Sequence, residues 1–157
     1  MSIRNMPRKR PVSISMASFA QQPNNLASLT ASEIAAKIAA GETTSEAVVN
    51  DCLNRIKDCD DTLGAWIHVD AEKALTQARA CDSADPAGPL HGVPVGVKDV
   101  LDTHDMPTEY GSEIYDGHRP AEDSACVAAL RRAGAVILGK TTTTQFASPL
   151  PVGVRNP

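Results

Sequence analysis

The residue best placed by its neighbours to do chemistry is the lysine in G-P-L-H-G-V-P-V-G-V-K-D-V-L-D-T, residues 88–103. From Gly92 to Val97 valine alternates with proline or glycine, so a strand here puts Val93, Val95 and Val97 on one face and Pro94, Gly96 and Lys98 on the other. Lys98 therefore projects from a face stripped of bulk, and glycine inside a strand often marks the close approach of a ligand or another backbone. A lysine in a dry pocket tends to lose its proton; bringing its pKa from ~10.4 down to near 7 needs about 3 units, or roughly 4 kcal/mol. The neutral amine is a general base that can take a serine proton directly or through a second hydroxyl. A Schiff-base role lacks a neighbouring phosphate or pyridinium site. The plainer alternative is a strand-end lysine reaching solvent near Asp99 and Asp102, although alternation sends Asp99 to the opposite face.

Other reactive groups offer less. Cys52, Cys59, Cys81 and Cys126 show no C-x-x-C spacing and no nearby histidine pair, which removes the usual support for zinc. Cys52 and Cys59 share one face of a helix and read as small core residues. His68, His91, His104 and His118 lie in separate segments without metal spacing and read as packed or surface residues. His91 is placed to brace the loop entering the Lys98 strand. G-K-T-T-T-T at 139–144 lacks the upstream glycine of a phosphate-binding loop. No metal and no cofactor is expected.

The elements that must position Lys98 are legible from caps and periodicity. Thr30 with Glu33 forms a capping box ahead of A-S-E-I-A-A-K-I-A-A-G, closed by Gly41. Thr43 with Glu46 repeats that logic for a second helix, running through about Lys57, and the two form an antiparallel hairpin. L-G-A-W-I-H-V-D reads as a short strand, and Asp70 caps a helix over A-E-K-A-L-T-Q-A-R-A-C-D-S. A-D-P-A-G-P is a connector, and residues 101–124 form a polar loop crossing strand ends. Asp123 or Ser124 caps S-A-C-V-A-A-L-R-R-A-G, and the apolar strand A-V-I-L-G-K-T follows. Strand, helix and apolar strand in this order imply a βαβ crossover in a parallel sheet, hence an α/β fold.

Composition excludes several function classes. The 157 residues carry a net charge of -4 and only 3% aromatics, a poor match to nucleic-acid binding. Residues 1–26 hold Arg4, Arg8, Lys9 and Arg10 and no acid, leaving 11 basic against 19 acidic residues in the rest. This serine- and proline-rich segment reads as a disordered basic tail. An organellar transit peptide also starts arginine-rich and acid-free, but the prolines and weak amphipathicity speak against one. No stretch approaches the ~18 apolar residues of a membrane span, and a cytoplasmic location with reduced thiols is expected.

Four segments carry a family resemblance. G-P-L-H-G-V-P-V-G-V-K-D, P-T-E-Y-G-S, E-D-S-A-C-V-A-A-L-R-R-A-G-A-V-I-L-G-K-T and V-R-N-P, in this order and spacing, resemble the N-terminal part of the amidase signature family over residues 27–157. The resemblance implies a layered α/β/α fold with a mixed sheet and hydrolysis of a small-molecule amide by a Ser-cisSer-Lys triad, without a cofactor. It implies that Lys98 is the catalytic lysine. Many members read K-T-N-x-x-E-F where this chain has K-T-T-T-T-Q-F, so Thr142 and Gln145 depart from the pattern in a way that bears on subgroup and substrate. The family's bridging and nucleophilic serines lie downstream of the R-N-P segment, whereas this sequence ends at Pro157, and Ser112, Ser124 and Ser148 do not fit their surroundings. Negligible amide hydrolysis by the 157-residue chain alone is therefore expected. Two further readings stay open. One is a protein like the amidase-core subunit of the glutamine-dependent aminoacyl-tRNA amidotransferase, ranked below a free-standing amidase; the other is a non-catalytic interaction module. The Ala-rich helices at 31–57 offer a surface for a homodimer.

Overall fold

The computed structural model describes residues 25–149 and 153–154. The basic segment through residue 24 lies outside the described residues. Chain order within them is α1 (Ala31–Ala39), α2 (Ser45–Leu63), β1 (Trp66–Val69), α3 (Ala71–Asp82), β2 (Pro94–Lys98), α4 (Ala125–Arg132) and β3 (Val136–Thr141), with short 3-10 turns at Leu26–Ser28, Glu113–Tyr115 and Gln145–Ala147.

Local chemistry sets the helix ends. The Thr30 hydroxyl accepts from the Glu33 N–H while the Glu33 carboxylate accepts from the Thr30 N–H, the reciprocal box expected. Gly41, at φ 70°, closes α1 as Glu42 N–H reaches back to the Lys37 carbonyl at 2.9 Å. The cap of α2 is Thr44 rather than Thr43. Its hydroxyl takes the Ala47 N–H at 3.1 Å, and the Asp82 carboxylate takes the N–H groups of Ser45 and Glu46, a long-range cap no local pattern reveals. α2 also runs to Leu63, well past the expected end near Lys57, and stops at Gly64 in the left-handed region. Asp70 caps α3 through the Lys73 N–H. Ser124 is the N-cap residue of α4, but its hydroxyl makes no capping bond, and the Asp123 carboxylate bonds His104 and Arg131 instead.

The sheet order is β1-β3-β2, with β1 antiparallel and β2 parallel to the central β3, so the expected mixed α/β sheet is present. α2 and α3 cover one face, where Val49, Ala74 and Ala78 pack on Val136 and Leu138. α4 covers the other, where Val127 packs with Val97, Ile137 and Met106. These three layers are the α/β/α arrangement. Val93 does not join Val95 and Val97 as the alternation implied. It precedes β2, follows the positive-φ turn at Gly92, and packs with Ile34 of α1 and Val48 of α2.

One irregularity decides the chemistry of the strand ends. Val95 pairs with Ile137, but Gly96 pairs with Gly139, so Leu138 is an extra residue in β3. A bulge re-aims the side chains beyond it. Here it places Lys140 opposite Val97, on the α4 side with Ile137, instead of on the α2 side with Leu138.

Candidate active site

Lys98 is the last residue of β2, and its side chain is exposed. Its carbonyl accepts from Val100 and Leu101 N–H groups at 2.8 and 3.0 Å, so the chain turns sharply just after it. Among the described residues no acidic partner lies within ion-pair distance of its amine, and Asp99 points away as alternation required. The dry pocket expected around Lys98 is not formed by these residues. The stripped face has a different occupant from a ligand: a Cβ on Gly96 would stand 2.8 Å from Cη2 of Trp66.

A second lysine, which the sequence pattern hid, sits on the opposite face. Lys140 is fully buried and pairs with Asp99 at 3.2 Å, side-chain exposures being 0% and 1%. Its ammonium also donates to the carbonyls of Leu101 at 3.0 Å and Pro107 at 3.3 Å and to the Thr108 hydroxyl. Burial pushes its pKa below the ordinary range, while the hydrogen bond and charge of Asp99 pull it back in part. Asp99 accepts in addition from the Glu109 N–H at 3.2 Å. Lys140 thus ties the loop after β2 to the central strand. The signal in the sequence was Asp99 itself: a carboxylate on the face of Val95 and Val97 requires a buried cation, and Lys140 stands in an otherwise apolar strand.

The loop of residues 99–124 is fixed at its far side by another ionic network. Asp105 accepts from Lys73 at 2.9 Å and Arg131 at 2.7 Å, and Asp123 from Arg131 and His104, both at 2.9 Å. Burial raises the Asp105 carboxyl, but the Lys73 hydrogen bond and the charges of Arg131 and Lys73 outweigh it and hold the group below the usual carboxylate range. Asp123 is held low in the same sense, burial being outweighed by the bonds from His104 and the charge of Arg131. His104, Asp105 and Asp123 offer ligand atoms within 4.8 Å of one another. The cations already paired with both carboxylates make this a poor metal site.

The remaining candidates take structural places. His91 accepts the Ala87 N–H at 3.1 Å on Nδ1 and bonds the Cys81 carbonyl at 3.0 Å through Nε2, which braces the loop before β2 as anticipated. His68 lies opposite Lys140 in the ladder, and His118 packs on Tyr110 and Tyr115. All four cysteines are free thiols. Burial pushes Cys52 up to about 11, with Asp51 adding to the effect, so this thiol is a poor nucleophile. Ser112 accepts from the Gln145 side chain at 3.2 Å. Thr142 bonds the Gly64 carbonyl at 2.8 Å, so this departure from the family pattern clamps the end of α2. A groove of about 500 Å³ between α1, Asp82 and Pro86–Pro89 lies at the entry to β2, the other end of the strand from Lys98.

The Amidase family model matches residues 47–150, which include β2, its loop, α4 and β3. The chain belongs to the amidase family. Among its amidase-family relatives, a glutamyl-tRNA(Gln) amidotransferase subunit of Salinispora arenicola is 49% identical over 127 residues, covering 78% of this chain and 26% of that protein. The corresponding subunit of Streptomyces coelicolor is 44% identical over 128 residues, 79% of this chain and 26% of that protein. The peptide amidase of Stenotrophomonas maltophilia superposes with a TM-score of 0.71 at 35% identity, over 76% of this chain and 26% of that one. A fatty acid amide hydrolase superposes with a TM-score of 0.76 at 26% identity, over 83% of this chain and 24% of that one. The chain spans about a quarter of the length of the curated relatives it matches. No helix among the described residues is long and apolar enough to cross a membrane.

Proposed function

We propose that residues 27–157 form the N-terminal part of an amidase domain that cleaves carbon–nitrogen amide bonds, preceded by a basic tail at 1–26, with Lys98 as the proton-accepting base of a Ser-cisSer-Lys triad. The observation carrying this reading is the division of labour between the two strand-end lysines: Lys140 is locked by Asp99, while the Lys98 amine is exposed and unpaired among the described residues. In the reaction, the Lys98 amine takes a proton from a bridging serine, which takes one from the nucleophilic serine. That oxygen attacks the carbonyl carbon, the C–N bond breaks, the proton returns to the leaving nitrogen, and water releases the acyl group. Both serines come from residues that follow the V-R-N-P match, so the 157-residue chain alone is expected to show negligible turnover.

The test is to read the encoding DNA past codon 157 and assay the complete product. An open frame into a Gly/Ser-rich segment, with amide hydrolysis falling roughly 10²–10⁴-fold in Lys98→Ala, supports the reading. Full activity in Lys98→Ala, or turnover by the 157-residue chain that Lys98→Ala abolishes, sinks it in its present form. A second reading, an amidotransferase component that passes ammonia to partner chains, is favoured by the 44–49% identity to proteins of that name. Release of ammonia from glutamine in preference to simple amides distinguishes it. Cytoplasmic location and a homodimer through residues 31–57 complete the proposal. Sedimentation of the chain as a monomer at micromolar concentration removes the dimer.

A further inference from the structure

Trp66 stands in the same row of the sheet as Lys98. It pairs with Thr141 across the antiparallel ladder, and Thr141 pairs with Lys98 across the parallel one. Residues opposite one another in a ladder share a face, so all three project towards the side covered by α2 and α3. The indole spans the central strand. A Cβ added to Gly96 would meet Trp66 Cη2 at 2.8 Å and Cζ3 at 3.3 Å, and Thr141 Cγ2 at 3.1 Å. The ring is held there by packing against the cluster of Val49, Ala74 and Leu138. Gly96 is thus the gap in β2 that admits the ring tip. The next residue on that face, about 7 Å along the strand, is Lys98.

We propose that Trp66 is a positioning residue for Lys98: the indole seated over Gly96 is an apolar floor for the lysine's methylene stem and excludes water from one side of its amine. The inference rests on Lys98 being the base, but its test needs no turnover, so the two can fail separately.

Trp66 is the sole tryptophan of the chain, so its fluorescence reports this row alone. In the full 157-residue chain an adjacent ammonium concentrates iodide but not acrylamide at the indole. The expected result is that Lys98→Met lowers iodide quenching about 1.5-fold or more and leaves acrylamide quenching unchanged. Equal iodide quenching in both proteins overturns the proposal. The second readout is acetylation of Lys98 by acetic anhydride, measured by peptide mass spectrometry against the exposed Lys57. Trp66→Ala is expected to change the Lys98-to-Lys57 ratio about two-fold, because the lysine stem loses the apolar wall it lies on, and Trp66→Phe to restore it. An unchanged ratio in a folded Trp66→Ala protein also overturns the proposal. Should Trp66→Ala fail to fold, the iodide comparison decides alone, because Lys98 is exposed and its replacement spares the core.

Discussion

Replacing Lys140 by methionine isolates the contribution of the buried ion pair. Methionine is close to lysine in length and leaves little void, so the loss is electrostatic. The Asp99 carboxylate, 1% exposed, keeps only the Glu109 N–H, and the carbonyls of Leu101 and Pro107 lose their donor. Removing one partner of a buried pair typically costs about 3–5 kcal/mol. Against a total stability of about 5–15 kcal/mol this is a large share. At about 2–4 °C per kcal/mol for a chain of this size, the melting temperature should fall by about 6–20 °C. Thermal and urea unfolding followed by circular dichroism measure it. The double variant Asp99→Leu/Lys140→Met should recover most of the loss, since apolar replacement of a whole buried pair is often neutral. The pH dependence supplies a signed check. The folded state holds the Lys140 proton less tightly than the unfolded chain does. Between the folded pKa and ~10.4 the unfolded state therefore binds more protons, and the wild type gains on Lys140→Met as pH rises through that window. A loss below about 1 kcal/mol, or no recovery in the double variant, would mean that Asp99 is not left as an uncompensated buried charge.

Three further outcomes are expected. Lys98→Ala should leave stability within about 0.5 kcal/mol of wild type, because the side chain is exposed and unpaired among the described residues, and urea titration checks this. Gly139→Ala would put a Cβ 2.1 Å from the His68 carbonyl oxygen, so the β1–β3 ladder must open. A loss of about 3 kcal/mol or more, with early exchange of β1 amides, is expected. Asp105 and Asp123 contribute stability that is complete above ~3.9 and lost as pH falls through their lower folded values. Asp105→Asn should accordingly flatten the acid limb of the stability–pH curve.

What could be read from the sequence was mostly local. The Thr30 box, the Asp70 cap and the glycine stop at Gly41 depend on residues within one turn, and the structure realises each. The start of α2 is shared between the Thr44 hydroxyl and the Asp82 carboxylate, and Asp82, 37 residues from Ser45, leaves no local signal. Alternation along β2 places Lys98 on the face it occupies. The filler of that face has no such signal, because nothing in the spacing of Trp66 and Gly96 says that they meet across a third strand. The burial of Lys140 has no local signal for a related reason. Its burial depends on an extra residue in β3, and alternation counted along β3 alone sends it to the wrong side.

The bulge at Leu138 therefore matters beyond its size. Lys98 and Asp99 are adjacent, so a strand end that turns one outward must turn the other inward. An inward carboxylate needs a cation at the same depth, and β3 runs close enough along the α4 face to supply it. With regular alternation Lys140 would share the face of Val136 and Leu138, beneath α2 and α3, leaving one ammonium in an apolar cluster and one carboxylate unpaired. The extra residue brings the two charges together and leaves Gly139 opposite Gly96, where the absence of side chains gives Trp66 its seat. One insertion in the central strand thus pairs Asp99 with Lys140 and seats Trp66 in the row of Lys98. The neighbours of the Lys98 row are set by how β3 is built as much as by the strand that carries it.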